Sequence, residues 1–323
     1  MGSKEQMSVE IPLRYGFIGL GVMGWGMANN LRTKIPALAT LCVCEISDER
    51  LIKWLAQAPG PVSVASNPKA VVEQSDVVIT MLPAGPHVMS VFTDPQTGML
   101  SANASYLKKK LFLECSTIDI ETSLRLAADV KTHQHCDFID APVSGGVHGA
   151  DTGTLSVMVG CESSELFNRV KPILCFLGKP QKIFHCGDVS AGLATKQINN
   201  YLSCITMLGT CEAMTLGLRS GLDPTTLAEV IKVSTGACYN CGEQNPVRGV
   251  SSLASASRDF EGGFTTEMAK GVLDMALSHG DKVGAKLVLG SVVSEFYERA
   301  AGHPKCRGKD FRSIFKLFSE NEG

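Results

Sequence analysis

No uninterrupted apolar stretch in this 323-residue chain approaches the roughly 18–20 residues that a bilayer-spanning helix requires. Nor does one sign of charge prevail. Thirty Lys and Arg stand against 32 Asp and Glu, the net charge is −2 and the pI is near 6.4. Such a balance gives no electrostatic reason to expect nucleic acid or an anionic membrane as partner. The one basic run, Lys108-Lys109-Lys110, reads as a solvated entry to the strand after it. The leader, Met1 to Glu10, holds Glu5 and Glu10 and no arginine, which argues against both a secretory signal and a mitochondrial presequence. Gln6 stands where a myristoylation signal would carry Ser or Thr. The expected compartment is therefore the cytosol. Internal repeats and low-complexity segments are also lacking, and no cysteine–histidine cluster offers a metal site. Cys238-Tyr-Asn-Cys241 has the spacing of half a zinc site, but no second pair or nearby histidine completes it, so the pair reads as structural.

What the chain does have is core. Hydrophobic residues make up 44%, and 34.4 kDa suffices for two ordinary domains. Twelve cysteines are many. Most lie in apolar runs (Cys42, Cys44, Cys175, Cys204), where a reduced thiol acts as a small hydrophobe.

From Tyr15 onward, short β-branched or apolar runs alternate with helical patterns. The runs at Tyr15–Gly19, Leu41–Cys44, Val77–Leu82, Leu111–Glu114 and Phe138–Asp140 predict strands. Helices are predicted to begin near Val22, Asp48, Pro68, Gly85 and Ile120. Alternation of this kind builds a mostly parallel sheet covered on both faces, with ligands bound beyond the carboxyl ends of the strands. Around Asp188 the pattern changes. A helix of about 30 residues is predicted from near Ser190 to Gly221, capped by Ser190 or Asp188. Asp223-Pro224 opens the next helix, and the remainder reads as helical to Phe318. The fold class expected is α/β. A doubly wound Rossmann domain covers residues 14–187, followed by a long connecting helix and an all-α domain, together residues 188–320.

Two groups of residues carry chemistry. In Gly19-Leu-Gly21-Val-Met23-Gly24, directly after the first strand, Gly19 permits a tight turn and Gly21 lets a pyrophosphate approach the backbone. Gly24 allows close helix–strand packing, and the phosphates would sit over free amides at the helix start. Glu45 follows Gly24 by 21 residues, the spacing of a carboxylate that holds the ribose hydroxyls. Its charge would repel a 2′-phosphate, and Ile46-Ser47 supplies no arginine, so NAD is expected over NADP. The second group is Lys196 and Asn200, four residues apart on one helical face. Together they can hold and deprotonate an alcohol. Taken alone, a helical lysine is ordinarily a solvated surface residue, and the Ser144-Gly145-Gly146 stretch an ordinary turn.

Six ordered motifs between Tyr15 and Phe318 reverse that bland reading. They are Gly19 to Gly24 with Met27-Ala-Asn-Asn-Leu31, Met81-Leu82-Pro83-Ala84, Ser116-Thr117-Ile-Asp119, Asp140-Ala-Pro-Val-Ser144-Gly145-Gly146, Gly192-xxx-Lys196-xxx-Asn200 and Met268-Ala-Lys270. On these the chain resembles the β-hydroxyacid dehydrogenase family, and Asn245-Pro-Val-Arg-Gly-Val250 resembles a loop of its hydroxyisobutyrate branch. The resemblance implies an NAD-dependent oxidation of a small 3-hydroxy acid to its semialdehyde, 3-hydroxyisobutyrate first among candidates. It gives Lys196 the role of general base and Asn200 that of its neighbour on the substrate. It places Ser144, Gly145 and Gly146 at the substrate carboxylate, and Tyr239 at the pocket wall where the branch commonly has tryptophan. Met23, Leu82, Pro83, Thr117 and Lys270 would join the glycines and Glu45 around the cofactor. The family also implies a homodimer or homotetramer, and admits a mitochondrial location.

The sequence departs from the family at Gly271 (usually aspartate), Ile120 (proline), Trp25 (a smaller residue), Cys161 (glycine) and Arg248 (proline). Those at Tyr239, Arg248 and Gly271 leave the substrate open. Tartronate or succinic semialdehyde reduction, L-serine oxidation and a larger acid remain alternatives. So does a catalytically silent scaffold, against which Lys196, Asn200 and Ser144 all argue. Relatives that prefer NADP carry an arginine after the second strand, and an imine-reducing branch lacks the lysine.

Overall fold

A computed structural model describes residues 12–133 and 135–318. The leader on which the cytosolic expectation rests lies outside them. Nine strands form one sheet: β1 (Arg14–Ile18), β2 (Thr40–Cys44), β3 (Ser63–Val64), β4 (Val77–Thr80), β5 (Leu111–Glu114), β6 (Asp137–Asp140), β7 (Val143–Ser144), β8 (Leu155–Gly160) and β9 (Gly178–Gly187). The helices are α1 (Val22–Lys34), α2 (Asp48–Leu55), α3 (Pro68–Gln74), α4 (Gly85–Thr93), α5 (Ile120–Lys131) and α6 (Gly146–Thr152). They continue with α7 (Ser164–Leu174), α8 (Ala191–Arg219), α9 (Pro224–Lys232), α10 (Thr266–Val283) and α11 (Gly290–Gly302).

The strands run β3-β2-β1-β4-β5-β6-β8-β7, with β9 paired to β8. The first six are mutually parallel, so their carboxyl ends share one edge. Alternate residues enter opposite faces. Tyr15, Phe17, Leu41, Val43 and Ile79 pack into one core, and Ile18, Cys42, Val78 and Phe112 into the other. Both faces are covered, which is why these strands read as continuous apolar runs. This is the Rossmann-like architecture expected, followed by a helical region.

Two corrections concern the first unit. Val77–Leu82 was expected as one strand, but β4 ends at Thr80. The Leu82 N–H is taken by Ser116 Oγ at 2.8 Å, which turns the chain out of the ladder. The strands and helices named from the sequence stop at Asp140, and β7, α6, β8, α7 and β9 follow before Asp188. β8 runs antiparallel to β6 and β7, so the simple alternation stops there.

The chain divides into two compact units, one ending at Lys196 and one beginning at Gln197. The sequence-based boundary at 187/188 stands just before α8, and the division falls inside that helix. In the second unit, α8, α10 and α11 enclose a core of Cys204, Met207, Cys211, Leu273, Tyr297 and Ile314. Asp223 caps α9 by accepting from Thr226 N–H at 2.7 Å, with Pro224 in the first turn as expected. Among the described residues α8 alone is long and apolar enough to cross a bilayer. Part of its apolar surface serves a protein core, through Cys204, Met207, Cys211 and Met214, while Ile198, Leu202 and Leu216 are exposed.

Candidate active site

The glycine turn meets the carboxyl edge of the sheet at β1. Gly19 has φ +97°, and a Cβ there would lie 2.3 Å from Met81 O, so only glycine fits. A Cβ on Gly24 would come within 1.9 Å of Gly19 O, which fixes α1 against the turn. Gly21 is the contrasting case. A Cβ there would meet nothing within 4 Å, and as N-cap of α1 it makes no side-chain capping bond. Open space over unfilled helix-end amides is what a pyrophosphate requires, so the residues present fit a dinucleotide. Met23 sits in the first turn of α1, half-buried.

Glu45, just past β2, is held against this turn. One carboxylate oxygen accepts from Leu20 N–H at 2.7 Å and the other from Ser47 N–H at 3.0 Å. Its carboxylate thus braces the glycine turn. The expectation that no arginine stands near it needs correction. Arg50 Nη1 lies 3.4 Å from Glu45 Oε1, because α2 brings residue 50 back over the end of β2.

Two further loops at the same edge are joined from below. Leu82 and Pro83 follow β4, and Thr117 follows β5. Ser116 Oγ accepts from Leu82 N–H at 2.8 Å, while Ser116 N–H donates to Glu114 Oε1 at 2.7 Å. Thr80 Oγ1 donates to the other oxygen of Glu114. Burial pushes the Glu114 carboxyl up to about 7, against the hydrogen bonds that lower it, and the nearby Asp140 adds to the rise.

Ser144 ends β7, and Gly145 and Gly146 turn into α6 with φ of +141° and +62°. Both glycines are exposed, leaving their backbone approachable. Asn30 ties α1 to α6, donating from Nδ2 to Ala150 O at 2.8 Å and Asp151 O at 2.9 Å. Hence Asn30, within the Met27–Leu31 motif, fixes the helix of the phosphate turn against the helix of the Ser-Gly-Gly turn.

Lys196 lies in the second turn of α8 and is buried. Burial lowers its ammonium to about 8, and no carboxylate pairs with it among the described residues. An amine with this pKa is free in about half of the molecules at pH 8, so it can accept a proton in mildly alkaline solution where an ordinary lysine could not. The helix start was expected to be capped by Ser190 or Asp188. The side chain that does it is Asp140, from the end of β6. Its carboxylate accepts from Ser190 N–H at 2.6 Å and Leu193 N–H at 2.9 Å. Burial pushes Asp140 up to about 7, partly offset by these amides. Gly160 and Gly192 make the room: a Cβ on either would lie 2.2 Å or 2.7 Å from an Asp140 oxygen. The sequence contained Asp140 inside a recognised motif but no sign that it reaches 50 residues along the chain.

Asn200, Tyr239 and Lys270 belong to the second unit. Asn200 is half-buried, one turn beyond Lys196 on the continuous α8. The Tyr239 side chain is exposed on the turn after α9. Lys270, in α10, pairs with Asp274 at 2.7 Å and Glu298 at 3.0 Å.

Residues 14–189 match the family described as the NAD binding domain of 6-phosphogluconate dehydrogenase. Residues 190–318 match that described as the NAD-binding region of NADP-dependent 3-hydroxyisobutyrate dehydrogenase. The mitochondrial 3-hydroxyisobutyrate dehydrogenase of Rattus norvegicus is 38% identical over 95% of this chain and 87% of its own length. The 3-hydroxyisobutyrate dehydrogenase of Pseudomonas aeruginosa is 38% identical over 94% and 97%. Among solved structures, that of Mycobacterium tuberculosis 3-hydroxyisobutyrate dehydrogenase with L-serine superposes with a TM-score of 0.82. It is 30% identical and covers 96% of this chain and all of that one.

Proposed function

The chain belongs to the 3-hydroxyisobutyrate dehydrogenase family, oxidoreductases of CH–OH groups, and on that footing we propose that it oxidises 3-hydroxyisobutyrate to its semialdehyde with NAD. The observation that carries the reading is Lys196: a buried amine, lowered to about 8, without a counter-ion, on the helix that starts at the carboxyl edge of the sheet.

A bound nicotinamide supplies the hydride acceptor. The protein's own residues do the rest. The α1 amides around Gly21 hold the pyrophosphate, and Glu45 holds the ribose. Leu82, Pro83 and Thr117 shape the floor at the ends of β4 and β5. Ser144 Oγ and the Gly145 and Gly146 amides receive the substrate carboxylate, where charge-assisted hydrogen bonds are strong. Lys196 Nζ takes the hydroxyl proton and returns it in the reverse direction. Asn200, one turn on, hydrogen-bonds the same oxygen.

The choice of NAD rests on Glu45, whose charge opposes a 2′-phosphate. Arg50 pulls the other way, so the preference depends on the carboxylate staying charged and in place. Glu45→Gln keeps most of the shape and removes the charge. The expected result is a preference for NAD of about tenfold or more in the parent, corresponding to at least ~1.4 kcal/mol, and a clear narrowing in the variant. Equal kcat/KM for both cofactors in the parent overturns the assignment.

The substrate is tested by steady-state oxidation of 3-hydroxyisobutyrate, L-serine, glycerate, 4-hydroxybutyrate and 3-hydroxypropionate, each with NAD and NADP. The highest kcat/KM is expected for 3-hydroxyisobutyrate. L-Serine is the second reading, favoured by the solved relative from Mycobacterium tuberculosis with L-serine. Turnover of serine above 3-hydroxyisobutyrate would replace the first reading with the second.

A further inference from the structure

The turn after α9 carries two thiols for which the reaction has no use. Residues 238–241 form a β-turn closed by the Cys241 N–H donating to Cys238 O at 3.2 Å. Such a turn holds its end Cα atoms within about 7 Å, inside the span of a disulfide. The two Sγ atoms stand 3.0 Å apart. Closing to the ~2.05 Å of an S–S bond therefore needs a movement of about 1 Å, not a refolding of the turn.

The surroundings hold this geometry in place. Asn240 Nδ2 donates to Ser203 O and Thr206 Oγ1, both at 3.1 Å, and so pins the middle of the turn to α8. Asn245 Nδ2 donates to Cys241 O at 2.8 Å and pins its end. Thr210 Oγ1, from the same helix, lies 3.3 Å from Cys241 Sγ and 3.6 Å from Cys238 Sγ.

The two thiols are not equivalent. Cys238 is half-buried and Cys241 buried. Burial pushes Cys238 up, but the hydrogen bonds from Cys241, Thr210 and the turn amides outweigh it and leave this thiol lowered. Cys241 is raised by burial and by its bond to Cys238. Thiols of the sheet such as Cys42, Cys44 and Cys115 are pushed up by burial. A lowered, partly accessible thiol beside a raised, buried one has the asymmetry of an attacking and a resolving cysteine. Metal binding is the other use of this spacing, and no cluster of three or more metal-ligating side chains exists among the described residues.

We propose that Cys238 and Cys241 are a dithiol that closes reversibly to a disulfide when a hydroperoxide reaches the turn. The Cys238 thiolate attacks a peroxide oxygen. The S–O bond forms, the O–O bond breaks, and the leaving hydroxide takes a proton to become water. The Cys241 sulfur then attacks the Cys238 sulfenic acid. The S–S bond forms, the S–O bond breaks, and the departing hydroxide leaves as water with the Cys241 proton. Two thiols are oxidised and one hydrogen peroxide is reduced to two waters. The bond would lock the turn that presents Tyr239. None of this depends on the substrate assigned above.

The test uses the full-length, reduced protein, a few equivalents of hydrogen peroxide, alkylation of the remaining thiols and peptide mass mapping. The peptide spanning 238–241 is expected to lose two hydrogens and escape alkylation. It should regain two alkyl groups after dithiothreitol, before the half-buried Cys175 and Cys186 are modified. Cys241→Ser should stop at a Cys238 sulfenic acid that a cyclic diketone captures, and Cys238→Ser should leave Cys241 unoxidised at the same dose. Cys238 driven in the parent to sulfinic acid with Cys241 still alkylatable would overturn the proposal. So would oxidation of Cys175 or Cys186 while both turn thiols remain free.

Discussion

Lys196→Ala should lower kcat for alcohol oxidation by roughly 10²–10⁴-fold, the range that a positioned general base supplies. Cofactor affinity, followed by fluorescence titration, is expected to change by no more than about twofold, since the lost group acts on the reacting oxygen. The size of the effect follows from the pKa. An ordinary lysine near 10.5 would be neutral in about one molecule in 300 at pH 8. Burial lowers Lys196 to about 8, so half of the molecules carry a free amine at that pH. Oxidation should therefore accelerate as pH rises through about 8 and level off above it. The reverse reduction, which needs the ammonium, should decline through the same interval. Lys196→Arg offers no rescue, because a guanidinium stays protonated. Retained turnover in the alanine variant, or an oxidation rate flat between pH 7 and 9, would remove Lys196 from the role.

The second large effect belongs to Asp140, a positioning residue. In Asp140→Ala the amides of Ser190 and Leu193 lose their acceptor inside a buried region. Losing a helix cap and leaving buried donors unsatisfied is expected to cost about 2–4 kcal/mol. That corresponds to a fall in Tm on the order of 5–10 °C for a chain of this size. Turnover should fall as well, because Leu193 is three residues from Lys196 and the displaced first turn carries the amine with it. Asp140→Asn keeps one acceptor oxygen but turns an N–H₂ toward a donor, so it should lie between parent and alanine in both Tm and kcat. If the alanine variant matched the parent in both, Asp140 would have no part in placing the helix.

Much of this was legible in the chain. The three glycines, their distance from Glu45 and the strand just before them suffice to place a dinucleotide turn. The spacing of Lys196 and Asn200 suffices for one helical face. What escaped has physical reasons. Arg50 lies beyond the two residues that follow Glu45, and only the winding of α2 returns it to the carboxylate. Asp140 sits in a motif recognisable for its Ser-Gly-Gly end, while its partners are distant in sequence. β9 holds Lys179, Pro180, Gln181 and Lys182 in a row, all exposed, so no apolar period betrays a strand. Glu114 did leave a signal, a single acid closing an apolar run, but its meaning requires the neighbouring strand.

That neighbour gives the sheet a further property. Glu114 and Asp140 are register partners on adjacent parallel strands, both buried, each pushed up to about 7. In the unfolded chain both would ionise near 4. At pH 6 the unfolded carboxyls are thus almost wholly ionised, while the folded pair is mostly protonated, so folding draws up to two protons from the solvent. The sign follows from linkage: a raised folded pKa contributes stability that is complete below about pH 4 and fades as pH climbs through about 7. Refolded in a weakly buffered solution near pH 6, the protein would leave the liquid measurably more alkaline. The carboxyl edge of the sheet acts as a proton sink, filled when the chain folds and drained as the medium passes neutrality.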